Sequence, residues 1–468
     1  MSAHPEFLRV QGDRIVNGRG EAVRLRGFCI GGWMTMENFI TGYPGHESGM
    51  RAAVAAALGA EKAQFFFERF MYHFFNQDDV RFMASLGCNL MRVALNYRHF
   101  EDDDRPFDYK PEGFARLDEV VGWARENHVY VILDLHAVQG WQNAAWHSDN
   151  AGGKAHLWGQ KVFEDRAVAL WEEMARRYRG EPWVAGYNVA NEPDAAEMAW
   201  LNHYYRRVTE AIRAIDPDHV LILEGNRTSQ QFHQLDAPFD DNTVYSSHNY
   251  PVPAIDPGEY PGVFHGELYD RAKLKELYTA RTAWIREHGV PHYFGEFNSI
   301  FGNAAPEESR LRVVADLVDI AEEYGDSWTI WCYKDIGKMG LVYAAPDSKW
   351  MRRTRPIREI KSALRCDSWI ERHDAELFTH LRRMADHVLN TVGDRPGDWS
   401  NLAEELGFAL CDGFLSGKLQ PAFAEQFRGM SEAAIDAMME SFALQNCVRR
   451  EGLVHLVRAR TGIEGGAL

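Results

Sequence analysis

The chain has 468 residues, 46% of them hydrophobic, enough for one large domain plus a smaller one and too many for a disordered chain. Lys and Arg number 51 against 68 Asp and Glu, and the resulting charge of −17 opposes binding to nucleic acid or to an anionic membrane surface. No apolar run reaches the roughly 18 residues of a membrane span, and Met1–Glu6 lacks the basic and apolar regions of a secretion signal. The cysteines Cys29, Cys88, Cys332, Cys366, Cys411 and Cys447 show neither C-x-x-C nor zinc-ligand spacing. A reduced, cytoplasmic protein with no metal or cofactor is expected; the oligomeric state is not legible.

Along the chain, Leu8–Val10 and Arg14–Val16 flank a Gln11-Gly12-Asp13 turn and predict a hairpin. It is placed across the bottom of a barrel. The first barrel strand is expected over Val23–Ile30, followed by Gly31-Gly32-Trp33. A long insertion over residues 34–76 comes next, carrying Phe39, Tyr43, Phe65, Phe66, Phe67, Phe70, Tyr72, Phe74 and Phe75. So many aromatic residues call for burial.

Strand and helix then alternate. Strands are expected at Asn89–Leu95, Val129–His136, the run from Val184, His219–Gly225, Thr243–Tyr250, the run ending at Glu296, and Ser327–Lys334. Helices precede most of them, and Ile357–Leu364 is the last barrel helix. Near-continuous apolar strands are what coverage on both faces requires. The fold class predicted is α/β, a (β/α)₈ barrel over residues 1–365. A doubly wound sheet is the alternative, but no Gly-rich nucleotide motif follows the first strand. From residue 366 to 468 the pattern becomes helical only. Leu377, Leu381, Met384 and Val388 share one face, and Ser431 is placed as the N-cap of the run carrying Ile435, Met438, Met439 and Phe442. This region is expected to pack on the barrel in a structural role.

Polar residues gather where the strands end. Pro193 cannot continue a central strand, so Asn191 and Glu192 fall at the C-terminal tip of the fourth. Arg92, His136, His248, Tyr250, Glu296 and Trp331 end other strands, at the face where barrel active sites form. A buried carboxyl at such a place is costly unless paired or used. Two of them suit glycoside hydrolysis, in which a neutral carboxyl protonates the leaving oxygen and an ionised one attacks the anomeric carbon. Arg92 near Glu296 would keep that group charged, with Tyr250 donating to it, and burial beside a negative charge would raise the pKa of Glu192. Asn191 would reach a sugar 2-OH, and Trp331 offers a flat apolar face.

The pattern Asn191-Glu192-Pro193, Glu296, Arg92, His136, His248 with Tyr250, and Trp331 resembles glycoside hydrolase family 5, with every motif position filled in order across residues 8–365. The resemblance implies a retaining β-glycosidase, with Glu192 as acid/base and Glu296 as nucleophile. Gly31-Gly32-Trp33 and Glu37-Asn38-Phe39-Ile40 also resemble the exo-acting β-1,3-glucanase branch, which implies that Trp33 and Glu37 line the innermost sugar subsite.

A metal-dependent hydrolase using Asp134, His136 and His248 lacks an early H-x-H pair. A non-catalytic carbohydrate-binding barrel would usually have lost one glutamate. The insertion follows the first strand, so it is expected to fold over the mouth and make a pocket that takes one sugar end. The expected substrates are short β-glucosides, oligosaccharides or glycosides with an apolar aglycone. An endo-acting β-glucanase or mannanase is the alternative.

Overall fold

The computed structural model describes residues 7–302, 305–366, 375–393, 395, 397, 399 and 401–462. Eight parallel strands close into a barrel: β1 (Arg26–Ile30), β2 (Leu90–Asn96), β3 (Tyr130–Ala137), β4 (Val184–Asn188), β5 (Val220–Glu224), β6 (Thr243–His248), β7 (His292–Glu296) and β8 (Ser327–Ile330). All of β2, β4, β5 and β6 is buried, as strands with helices outside and packed side chains inside must be. β1 and β2 run so close that any Cβ on Gly27 would collide with the Leu90 carbonyl. The barrel helices carry local signals. Asn76 caps Gln77–Ser85 in a box with Asp79, and Pro111 opens Pro111–Glu126, where its missing N–H costs nothing.

The N-terminal hairpin closes the barrel floor as expected. Leu8, Ile15 and Leu25 pack with Leu90, Ile132, Ala185, Val220, Ile222, Val244 and Tyr293.

Four expectations are corrected. Strand β8 stops at Ile330, and Lys334–Asp335 belongs to a separate small sheet with Val342–Ala344 and Cys447–Arg449. The C-terminal region is therefore not purely helical. On its helix Ala375–Val392, Ala385 is buried and Met384 exposed, so the inward face runs through Leu381 and Ala385. The expected junction at Cys366 adjoins residues 367–374, which lie outside those described.

The fourth correction concerns the insertion. It folds as Glu47–Leu58 and Ala60–Phe74, but its rings pack away from the mouth. Phe66 meets Phe427 at a ring separation of 4.8 Å, and Phe442 lies 5.5 Å from Phe70 and 5.3 Å from Phe74. Lys334 locks this seam. Its ammonium pairs with Asp79 at 2.6 Å and donates to the carbonyls of Phe74 at 2.6 Å and Phe442 at 2.9 Å. Insertion and C-terminal helices thus supply one another's burial and share the main core. Among the described residues no helix is long and apolar enough to cross a membrane.

Candidate active site

The strand β4 ends at Asn188, and the chain then turns through Asn191 and Glu192. Glu192 adopts φ 46°, left-handed backbone that a non-glycine residue holds only when its surroundings enforce it. Here side chains satisfy the main chain. Gln142 donates to the Asn191 carbonyl at 2.9 Å and Asn143 to that of Glu192 at 3.0 Å. The Glu192 N–H donates to Glu224 at 2.7 Å.

Glu296 ends β7 opposite. Its Oε1 accepts from Arg92 at 2.5 Å and its Oε2 from the Tyr250 hydroxyl at 3.1 Å. Arg92 is wholly buried and its other nitrogens reach Glu224 at 3.0 Å, Asp134 at 3.1 Å, Asn191 at 2.7 Å and Asn188 at 3.1 Å. One guanidinium therefore serves three carboxylates, the arrangement that makes burying them tolerable. Burial and then the charge of Glu296 hold the Tyr250 phenol well above its usual range, so it remains a donor.

Glu192 is treated differently. Burial first, then the charges of Glu296 and Glu224, push its carboxyl well above the ordinary value. Its nearest ring partners do not offset this by charge. His248 Nδ1 lies 2.8 Å from Oε1, and burial followed by the charge of Arg92 holds that ring neutral. His147 Nε2 lies 3.3 Å from Oε2 and is pushed down to about 3, mainly by burial. An oxygen of Glu192, a nitrogen of His248 and an oxygen of Glu296 all fall within 4.8 Å of one another.

On the third side, burial opposes a charge on His136. The Asp134 carboxylate at 2.8 Å, with Glu37 at 3.3 Å and Glu296 beyond, outweighs it and lifts the ring to about 10. The Trp331 indole stacks on His136 at 5.0 Å and 7°.

These groups face one cavity of about 1210 Å³. Glu37, His136, Glu192, His248, Tyr250, Glu296 and Trp331 all line it. Arg92 and Asn191 sit behind the wall. Asn191 is wholly buried, with its amide nitrogen 3.3 Å from His136 Nε2. Trp33 is a correction. It is fully buried, donates to the Met71 carbonyl at 2.9 Å, packs on Phe75 at 5.4 Å and takes no part in the wall.

A family model, the cellulase model of glycosyl hydrolase family 5, matches residues 58–337. The chain belongs to glycoside hydrolase family 5. Among curated members, a β-xylosidase from Phanerodontia chrysosporium is 38% identical over 462 residues, 96% of each chain. A probable glucan 1,3-β-glucosidase A from Aspergillus clavatus is 31% identical over 260 residues, 53% of this chain and 60% of that one. The endoglucanase Cel5A of Thermotoga maritima shares the fold, with a TM-score of 0.51 at 20% identity over 68% of this chain and 91% of that one. The chain is thus a glycoside hydrolase.

Two features of this family 5 site escaped the sequence reading. Glu224 ends β5 as the other site residues end their strands, so the same strand-end rule reaches it. The cavity wall contributed by Leu377, Phe378, Leu381, Phe408 and Phe414 had no such signal. A region read as structural support forms part of the site.

Proposed function

We propose that this family 5 member is a retaining β-glycosidase that removes a terminal sugar from short β-glycosides. The observation that carries the reading is the spacing of Glu192 and Glu296, whose oxygens approach within 4.8 Å. Retaining pairs stand about 5–5.5 Å apart and inverting pairs about 6.5–9.5 Å.

The environments supply the division of labour. Arg92 and the Tyr250 hydroxyl hold the Glu296 carboxylate for attack on the anomeric carbon. Glu192, protonated because its pKa is raised, gives its proton to the departing glycosidic oxygen as that bond breaks. The products are a glycosyl ester on Glu296, a free alcohol and an ionised Glu192. Glu192 then takes a proton from an entering water, whose oxygen displaces Glu296 from the opposite face, and the β configuration returns. Trp331 and His136 form the floor for the sugar ring, and Glu37 offers an acceptor to its hydroxyls.

Exo action is supported by relatives named β-xylosidase and glucan 1,3-β-glucosidase, and by a cavity walled by the C-terminal helices as well as the barrel loops. The test is proton NMR of the first-formed sugar from p-nitrophenyl β-xyloside and β-glucoside, beside a long β-glucan. Retained β-anomer and terminal release are expected. An α-anomer product would refute retention, and faster cleavage of internal bonds would refute exo action.

A further inference from the structure

A glycoside's leaving group departs on the side of the acid that protonates it. Glu192 marks that side, so the position of the leaving group rests on the reading of Glu192 as the acid. Outward from Glu192, His147 Nε2 lies 3.3 Å from the carboxyl. The adjacent Trp146 is 6% exposed, and its ring stands 5.7 Å from that of Phe408. Phe408 opens the π-helical stretch Phe408–Leu415. Leu377, Phe378 and Leu381 of helix Ala375–Val392 and Ile255 from the barrel face the same cavity.

This wall has few partners for a polar ligand. A sugar brings several hydroxyls, each costly to bury unpaired. The side chains of Phe408, Leu377, Phe378, Leu381 and Ile255 offer neither donor nor acceptor. Trp146 adds one donor, its Nε1, which is buried without a partner. Of the charged residues lining this half, Glu404, Glu405 and Lys418 are exposed, whereas Arg365 is half-buried and Asp412 buried, and both of these have partners within the protein. The surface therefore suits an apolar group carrying at most an occasional acceptor. Its continuity with Glu192 makes the occupant part of the substrate.

We infer that the C-terminal helices form an aglycone site, and that the substrate is a β-glycoside of a bulky apolar alcohol. The catalytic half of the cavity reads the sugar, and the C-terminal half reads the alcohol.

The experiment uses the full chain and a series of alkyl β-glycosides from methyl to octyl, on whichever of xylose or glucose it cleaves faster as the aryl glycoside. Alkanols leave with similar ease, so differences in kcat/KM report binding of the chain. A rise of about two- to fourfold per buried methylene is expected. Phe408→Ser should lower the octyl-to-methyl ratio by about tenfold, the value of two or three such groups. Gly417→Phe should do the same without removing any packed side chain. Gly417 lines the cavity, and a Cβ there meets nothing within 4 Å. Val263→Ser, at a site 70% exposed and outside the wall, should keep the wild-type ratio. A flat series, ratios unmoved in both cavity variants, or faster cleavage of the matching disaccharide than of the octyl glycoside would overturn the aglycone site and leave a β-glycosidase. Failure to cleave any glycoside, aryl ones included, would remove the β-glycosidase reading and this inference with it.

Discussion

The Glu224 carboxylate accepts the Glu192 backbone N–H at 2.7 Å through one oxygen and Arg92 at 3.0 Å through the other. It joins the left-handed turn that presents Glu192 to the guanidinium that holds Glu296. Burial, against the pull of Arg92, lifts Glu224 itself to about 7.

Glu224→Gln keeps the shape, but whichever way the amide turns, its NH₂ faces a donor. We expect kcat to fall by about 10²-fold, the usual scale for a misplaced catalytic group, with KM moving less. The Glu224 charge also helps raise the Glu192 pKa, so the alkaline limb of the kcat profile should shift to lower pH. A fall in kcat with an unmoved alkaline limb would confine Glu224 to a packing role.

The roles proposed for Glu192 and Glu296 should separate under azide. In Glu192→Ala, loss of the acid/base should cost about 10²–10⁴-fold, and azide should rescue turnover with a β-glycosyl azide, since it needs no base to attack the ester. In Glu296→Ala, azide takes the nucleophile's place and should give the α-product. A β-azide from the Glu296 variant would reverse the roles.

Glu192 also predicts how stability changes with pH. A carboxyl whose folded pKa is raised contributes its full stability below the unfolded value, near 4.5, and loses it as pH climbs through the folded value. Glu192→Gln has no charge to desolvate. Its Tm relative to the wild type should therefore rise as the pH climbs above the unfolded value near 4.5. A Tm difference that does not change with pH above that value would contradict the assignment.

The C-terminal region should be inseparable from the barrel. Phe442 is fully buried against Phe70, Phe74 and Trp350. Phe442→Ala should cost about 3–5 kcal/mol in one cooperative urea transition. A small loss confined to a separate transition would mean the helices fold on their own.

By itself the sequence determined the barrel and most of the residues gathered at the candidate site, because both are written locally. An apolar run bounded by a helix reads as a covered strand, and a polar residue at its C-terminal end reads as a site residue. Glu192, Glu296, Arg92, His136 and His248 were all legible in this way, and Glu224 obeys the same rule. The distant pairings were decided only by the tertiary structure. The spacing of Phe66, Phe70 and Phe74 shows that one helical face needs burial, and nothing in it selects Phe427 and Phe442, more than three hundred residues on, over the cavity mouth. Likewise, the period of Ala375–Val392 announces an apolar face without saying whether it meets the barrel flank or lines the cavity. Periodicity records that a surface must leave water. Which surface receives it depends on shape and on the covering of every other face, and that is settled only when the whole chain packs.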